Sequence, residues 1–262
     1  MKFPILKHLA SLKNSTLCGL VAALFLFSTP TLAADALTPA QKKAVEQTIE
    51  KYIMDNPELI VRAIRRMQQK EERAKEEQIM GFLGSNSDHI RNDPNSYVAG
   101  NPDGDVTLVE FFDYRCGYCK KFYPVMNELL KTEKNVRIVF KEFPILGPDS
   151  QVASQAAIAA LIQDRKLYLP FHIALMEARG NLNKDRILEI AEEVGLDIDR
   201  LQGNMETRKV QEVVAKNYEI AQNLGITGTP GFVIGDTVIP GYVNLEQIRR
   251  LIDEARTGCK TC

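Results

Sequence analysis

The chain has 262 residues, 45% hydrophobic and 26% charged, and its 33 basic residues against 34 acidic ones give a formal net charge of −1. So much apolar residue excludes a natively disordered chain, and the lack of basic excess argues against a nucleic acid as partner. Five cysteines and three histidines are the residues from which redox or metal chemistry could be built.

Residues 1–33 read as an export signal. Lys2, Lys7 and Lys13 form a positive leading region, Leu17–Phe27 is an apolar core of 11 residues, and Thr31-Leu32-Ala33 suits cleavage after a small residue. The core is shorter than the roughly 20 residues of a membrane-spanning helix, and an uncleaved anchor is the competing reading. Cys18 has no lipidation context and leaves with the signal. Losing three lysines and no acidic residue takes the net charge to −4 and leaves 229 residues with four cysteines, in two Cys-x-x-Cys pairs. Export places them in the periplasm, where disulfides persist.

Residues 34–83 predict a helical oligomerisation segment. Thr38-Pro39-Ala40-Gln41 supplies an N-cap, a proline at the first helical position and a capping-box glutamine. Val45, Ile49, Tyr52 and Ile53 form one apolar stripe. Asn56-Pro57 ends that helix, and Ile60, Ala63, Ile64 and Met67 stripe the next, which runs into the charged stretch Gln68–Gln78. Narrow stripes with charged backs bury little alone, so a second or third copy of the chain is the expected cover. Packing onto the rest of the chain, or a solvated linker helix, is the alternative. Residues 84–104, rich in Asn, Asp, Ser, Pro and Gly, read as a linker.

A strand is expected at Val106–Phe112, a helix at Gly117–Lys131 and a strand at Val136–Phe140, within a first block of 105–149. A helical insertion, 150–225, holds patterns at Gln151–Gln163, Tyr168–Ala178, Lys184–Val194 and Lys209–Leu224. The closing block, 226–258, has strands at Gly231–Ile234 and Thr237–Ile239 and a helix at Leu245–Arg256. This order implies an α/β, thioredoxin-like fold split by a helical insertion.

The chemistry centres on Cys116-Gly117-Tyr118-Cys119, at the junction of a strand and a helix. Unpaired N–H groups and the helix dipole favour a thiolate at Cys116, and Arg115, Lys120 and Lys121 are expected to add positive charge. Cys116, expected to be exposed, is the candidate nucleophile. Cys119, one turn inward, would resolve its mixed disulfides. Half a zinc site or a structural disulfide are the alternatives; zinc requires four ligands, whereas the mature chain has only two histidines, His89 and His172, and its other Cys-x-x-Cys lies about 140 residues away. Alternation along the strand puts Glu110 on one face with Leu108 and Phe112, where a buried carboxyl would have a raised pKa and could relay a proton to Cys119; a solvated glutamate is the bland reading. His89 and His172 read as surface or structural residues, and Tyr114 as part of a peptide-binding rim.

The segments EFFDYRCGYC (residues 110–119), VFKEFPILG (139–147) and GTPGFVIG (228–235), in this order, resemble the DsbA family of thiol:disulfide oxidoreductases. The chain is most similar to the branch whose helical N-terminal extension assembles dimers or trimers. The resemblance implies a cis peptide bond before Pro230, facing the cysteines, with Thr229 touching Cys116 or the substrate. From bare sequence, Pro230 could equally be a turn or edge-strand proline. It implies Gly117, Tyr118, Thr229 and Pro230 as substrate-binding residues and a carboxylate role for Glu110. Thr229 is more like isomerase members than the strongest oxidase. Gly231 departs from the family's larger residue and would widen the groove. Gly117-Tyr118 lacks the histidine of the prototype, so Cys116 should be less acidic and its disulfide less oxidising, which favours shuffling.

Cys259 and Cys262 form a tail outside that resemblance: a second dithiol, a soft-metal site, or a local disulfide without a role in turnover. The expected function is formation or isomerisation of disulfides in exported proteins with cysteines, with a membrane redox partner and no cofactor. An exported metal-binding, copper-tolerance protein and a cell-surface structural protein are the rivals.

Overall fold

The computed structural model describes residues 37–258, so the export signal and the pair Cys259 and Cys262 lie outside the described residues. The chain divides into two compact units, one ending at Ala63 and the other starting at Ile64.

The first unit holds α1 (Pro39–Asp55) and the beginning of α2 (Glu58–Ser85). The expected capping box is present: Thr38 accepts from the Gln41 backbone N–H, and the Gln41 side chain accepts from the Thr38 N–H. The helix ends at Asn56, whose side chain donates back to the Tyr52 carbonyl. No residue of α1 is buried. Val45, Ile49 and Tyr52 are all exposed, with Ile60 and Val61 from α2.

The second unit continues with α3 (Ser87–Arg91), β1 (Tyr97–Gly100), β2 (Val106–Phe112), α4 (Gly117–Thr132), β3 (Val136–Glu142), α5 (Pro148–Gln163), α6 (Arg165–Glu177) and α7 (Lys184–Glu193). Then come α8 (Ile198–Met205), α9 (Arg208–Asn223), β4 (Gly231–Ile234), β5 (Thr237–Pro240) and α10 (Leu245–Thr257). The sheet order is β1-β3-β2-β4-β5, with β2 parallel to β3 and the other pairings antiparallel.

Central β2 has a covered face on each side, which is why apolar residues occupy both faces of it, interrupted only by Thr107 and Glu110. Leu108 and Phe112 enter the larger core with Phe122, Phe232 and the helical insertion. Val109 and Phe111 enter a second core with Leu83, Ile90, Ile220 and Leu224. The sheet thus forms the middle layer, and β2 ends where the two thiols begin.

Two expectations fail here. Residues 84–104 are not a linker: they complete α2 and form α3 and β1, which pairs with β3 from Tyr97↔Phe140 to Gly100↔Arg137. Ile90 is buried, the Tyr97 ring stacks on Tyr168, and Asp93 accepts from Asn95, Ser96 and the buried Lys141. The loop-forming residues here satisfy backbone and charge within a packed segment. The sequence reading also missed α8, a short helix capped by Asp197 that buries Leu201 and Met205.

Candidate active site

Strand β2 delivers the chain to a tight turn, Asp113-Tyr114-Arg115, closed by the Cys116 N–H donating to the Asp113 carbonyl at 3.0 Å. Cys116 is then the N-cap of α4, in extended conformation, without a side-chain cap of its own. Its sulfur therefore lies beside helix N–H groups that have no intrahelical acceptor. Cys119 is one turn further in and faces the core with Phe122 and Met126.

Both cysteines are sheltered: Cys116 is only 7% exposed and Cys119 1%. The expectation of an exposed nucleophile is thus corrected. The cover is the segment before β4, where the Thr229–Pro230 bond is cis and the Cys116 thiol donates to the Thr229 carbonyl at 3.1 Å. The Pro230 carbonyl in turn accepts from the Gly241 N–H. Thr229, Pro230 and Cys116 come together as the resemblance implied.

Hydrogen bonds from the Cys119 thiol, the Thr229 hydroxyl and the backbone of Cys119 and Tyr118 hold the Cys116 thiol down at about 5, against burial, which alone would raise it. Cys119 moves the opposite way: burial comes first, followed by its bond to Cys116 and the charge of Glu110. The two sulfurs are thereby differentiated into a ready thiolate and a protected thiol.

The cations expected to assist are engaged elsewhere. Lys120 Nζ donates to the Leu175 and Ala178 carbonyls near the end of α6, Arg115 donates to the Leu146 carbonyl, and Lys121 sits 4.7 Å over the Tyr242 ring. Local hydrogen bonds make the acid.

Glu110 is buried in the middle of β2, between Phe140 of β3 and Phe232 of β4. Burial, then the negative charge of Cys116, pushes its carboxyl up to about 8, and its Oε2 has no hydrogen-bond partner. At neutral pH it is largely a protonated acid within electrostatic reach of Cys119.

Other expectations change. Tyr114 is not on a rim: it is fully buried, its hydroxyl 3.1 Å from His172 Nδ1. His172 is likewise buried, and desolvation pushes it down to about 3, so it is a neutral packing residue. Gly231 does not widen a groove: a Cβ there would lie 2.5 Å from the Ile226 side chain. Gly117 and Tyr118 do face solvent; the Tyr118 ring is 6.2 Å from that of Tyr242, which the sequence reading had passed over. Leu146 is exposed, its carbonyl accepting from Arg115. Among the described residues there is no group of three or more His, Cys, Asp or Glu that could hold a metal ion.

A Cys-x-x-Cys pair at a helix N-terminus, led in by the central strand and covered by a cis-proline segment, defines a thioredoxin-fold protein with a dithiol site. The DSBA-like thioredoxin domain matches residues 107–253, more than half of the chain, and the chain belongs to that family.

A thioredoxin-like oxidoreductase from Silicibacter pomeroyi DSS-3 is 45% identical, covering 66% of this chain and 98% of its own, with a TM-score of 0.63. ScsC from Proteus mirabilis, in a transitional conformation, is 32% identical, covers 86% of this chain and 99% of its own, and has a TM-score of 0.63. The Na(+)/H(+) antiporter NhaA 1 of Salinispora arenicola is 30% identical over 166 residues, 63% of this chain. The chain spans only 25% of that antiporter's length.

Proposed function

We propose that the protein is an exported thiol:disulfide oxidoreductase that forms and isomerises disulfides in other exported proteins. The observation that carries this reading is the split between the two sulfurs: Cys116 acidic and hydrogen-bonded to Thr229, Cys119 buried and protonated.

In the oxidising direction a substrate thiolate attacks Cys116 Sγ of the Cys116–Cys119 disulfide. The bond between the two sulfurs breaks, and Cys119 leaves as a thiolate, which takes the Glu110 proton. A second substrate thiolate attacks the substrate sulfur of the mixed disulfide, releasing Cys116 and a substrate disulfide; the enzyme has gained two electrons and the substrate has lost two. In isomerisation the reduced Cys116 thiolate attacks a substrate disulfide, and a substrate thiolate later displaces it, with no net transfer of electrons. A thiolate stable at neutral pH is a good leaving group, which serves both directions. Neither direction requires a cofactor. Tyr118, Tyr242 and Leu146 supply apolar surface for a peptide beside Cys116.

The exposed stripe of α1 and early α2 supports assembly into a dimer or trimer, which would present more than one Cys116 to a single misfolded substrate. Periplasmic location and recharging by a membrane redox partner complete the proposal.

The test is reactivation of a scrambled multi-disulfide protein by residues 34–262, by Cys116→Ser, and by a truncation beginning at Glu72. That cut removes the exposed stripe and keeps Ile79, Phe82 and Leu83, which pack in the second core. The expected result is reactivation by the full mature chain, none by Cys116→Ser, and dithiol oxidation without reshuffling by the truncation. Equal activity of Cys116→Ser would overturn the proposal.

A further inference from the structure

The cover over Cys116 is a short excursion of the chain whose two ends meet. Ile226 opens it: its N–H donates to the Ala221 carbonyl in the last turn of α9 at 2.8 Å, and its side chain is buried in the second core with Leu224, Val233 and Phe111. Gly231 closes it, entering β4 opposite Phe111 of β2 and Pro240 of β5. A Cβ on Gly231 would lie 2.5 Å from Ile226 Cγ2, with Ile226 Cδ1 and the Gly228 carbonyl oxygen both at 3.5 Å. Because Cγ2 branches directly from the Ile226 β-carbon, it can give way only by turning a stiff and buried χ1. The backbone at Gly231 is therefore seated on a side chain that does not yield.

That seat reaches the nucleophile through a nearly rigid connection. Between Gly231 and the Thr229 carbonyl lie two planar peptide groups and the Pro230 ring, which fixes φ, so Pro230 ψ is the one soft torsion between those groups. The Gly241 N–H holds the Pro230 carbonyl at 2.9 Å and restrains that torsion. A shift at Gly231 is thus passed to the Thr229 carbonyl, which accepts from the Cys116 thiol at 3.1 Å. We infer that Ile226 and Gly231 are positioning residues for Cys116: their contact sets the height of the Thr229–Pro230 segment over the sulfur, and glycine is required at 231 for that seat. Their effect on the reaction runs through Thr229. The inference rests on the assignment of Cys116 as the nucleophile.

The test is a double-mutant cycle on the reduced full mature chain carrying Cys259→Ser and Cys262→Ser, which leaves only the active-site thiols. Thiolate absorbance at 240 nm is followed against pH, and thermal melting checks that each variant folds. Gly231→Ala should make Cys116 about tenfold weaker as an acid, because the displaced Thr229 hydroxyl no longer meets the sulfur. Ile226→Ala, which removes the seat, should weaken it about threefold. Combining the two should return the midpoint to within about twofold of the parent, since the new methyl group occupies the space that Cγ2 leaves. Ile226→Val keeps Cγ2 and should leave the midpoint in place, although it too removes a methyl group from the core.

An unmoved midpoint in folded Gly231→Ala would overturn the inference, and so would a double variant as shifted as Gly231→Ala. If Gly231→Ala does not fold, Ile226→Ala and the double variant decide. A shift in the first that the second restores supports the seat, and equal midpoints in Ile226→Ala, Ile226→Val and the parent overturn it. A parent that neither shows a thiolate below neutral pH nor forms a Cys116 mixed disulfide with glutathione disulfide would instead sink the assignment of the nucleophile itself.

Discussion

The helix pair around Asn56 and the domain around Cys116 are both built from strongly patterned sequence, yet they use it in opposite ways. Helix α1 is capped by side chains at both ends, with a capping box and a closing asparagine, and has no buried residue. Helix α4 has no side-chain cap at Cys116 and buries Cys119, Phe122, Met126 and Leu129. Local hydrogen bonding is therefore enough to specify a helix, but not to hold a protein together. Conversely, leaving a helix start uncapped frees N–H groups for a sulfur, once tertiary packing has taken over the stabilisation.

The comparison breaks first in the core. The Phe122 ring lies tilted against that of Phe232, centroids 4.7 Å apart, and is fully buried, so Phe122→Ala should cost about 3–5 kcal/mol in urea unfolding. A loss below about 1 kcal/mol would mean that α4 is held by its own propensity, as α1 is.

Glu110→Gln tests whether the active domain sacrifices stability for chemistry. The folded chain holds the Glu110 proton up to about 8, whereas an unfolded chain releases it near the ordinary 4.5. The folded state thus binds more protons across that window, and its stability falls as pH rises from about 4.5 to 8. The amide removes this penalty and should raise stability at pH 8 by about 2 kcal/mol while slowing resolution at least tenfold. Unfolding curves at pH 5 and pH 8 would expose the sign; equal stability at both would contradict a buried, unpartnered acid.

Cys116 has the reverse sign. Its folded value, about 5, lies below the ordinary 9.0, so the reduced protein gains stability over Cys116→Ser as pH rises from about 5 to 9 and loses it as pH falls through 5. Thiolate absorbance at 240 nm should show a midpoint near 5. Thr229→Val removes one hydroxyl donor and should make Cys116 about tenfold weaker as an acid. An unmoved midpoint would leave the Cys119 thiol and the backbone N–H groups as the cause.

Much of this was legible locally. The run Val106–Phe112, the turn and the stripe from Phe122 to Leu129 lie next to one another in sequence, and the strand, the site and the helix followed from them. The expected boundaries of the insertion helices agree with the structure within a few residues. What escaped depends on partners far along the chain. Strand β1 exists because Tyr97–Gly100 meets β3, and a polar composition conceals it. The cations beside Cys116 looked available until α6 and the β3–α5 loop claimed them. Gly231 looked like a concession to substrate, but Ile226 requires it. The buried Asp113 carried no signal, because the Leu146 N–H and the Ser150 hydroxyl that satisfy its carboxylate lie more than thirty residues away.

The smallest expected effect is the sharpest test of the opening contrast. Ile49 is 53% exposed and lies on a helix with no buried residue, so Ile49→Ala should change the unfolding free energy of the dilute protein by less than about 0.5 kcal/mol. If the stripe is an assembly surface, the same substitution should weaken association by much more than it weakens folding. Sedimentation across a range of concentrations would then show it shifted toward monomer while its melting curve at low concentration stays put. A large loss of stability in dilute solution would place Ile49 in a core. No change in sedimentation would remove the stripe from assembly and leave α1 a helix specified entirely by its own ends.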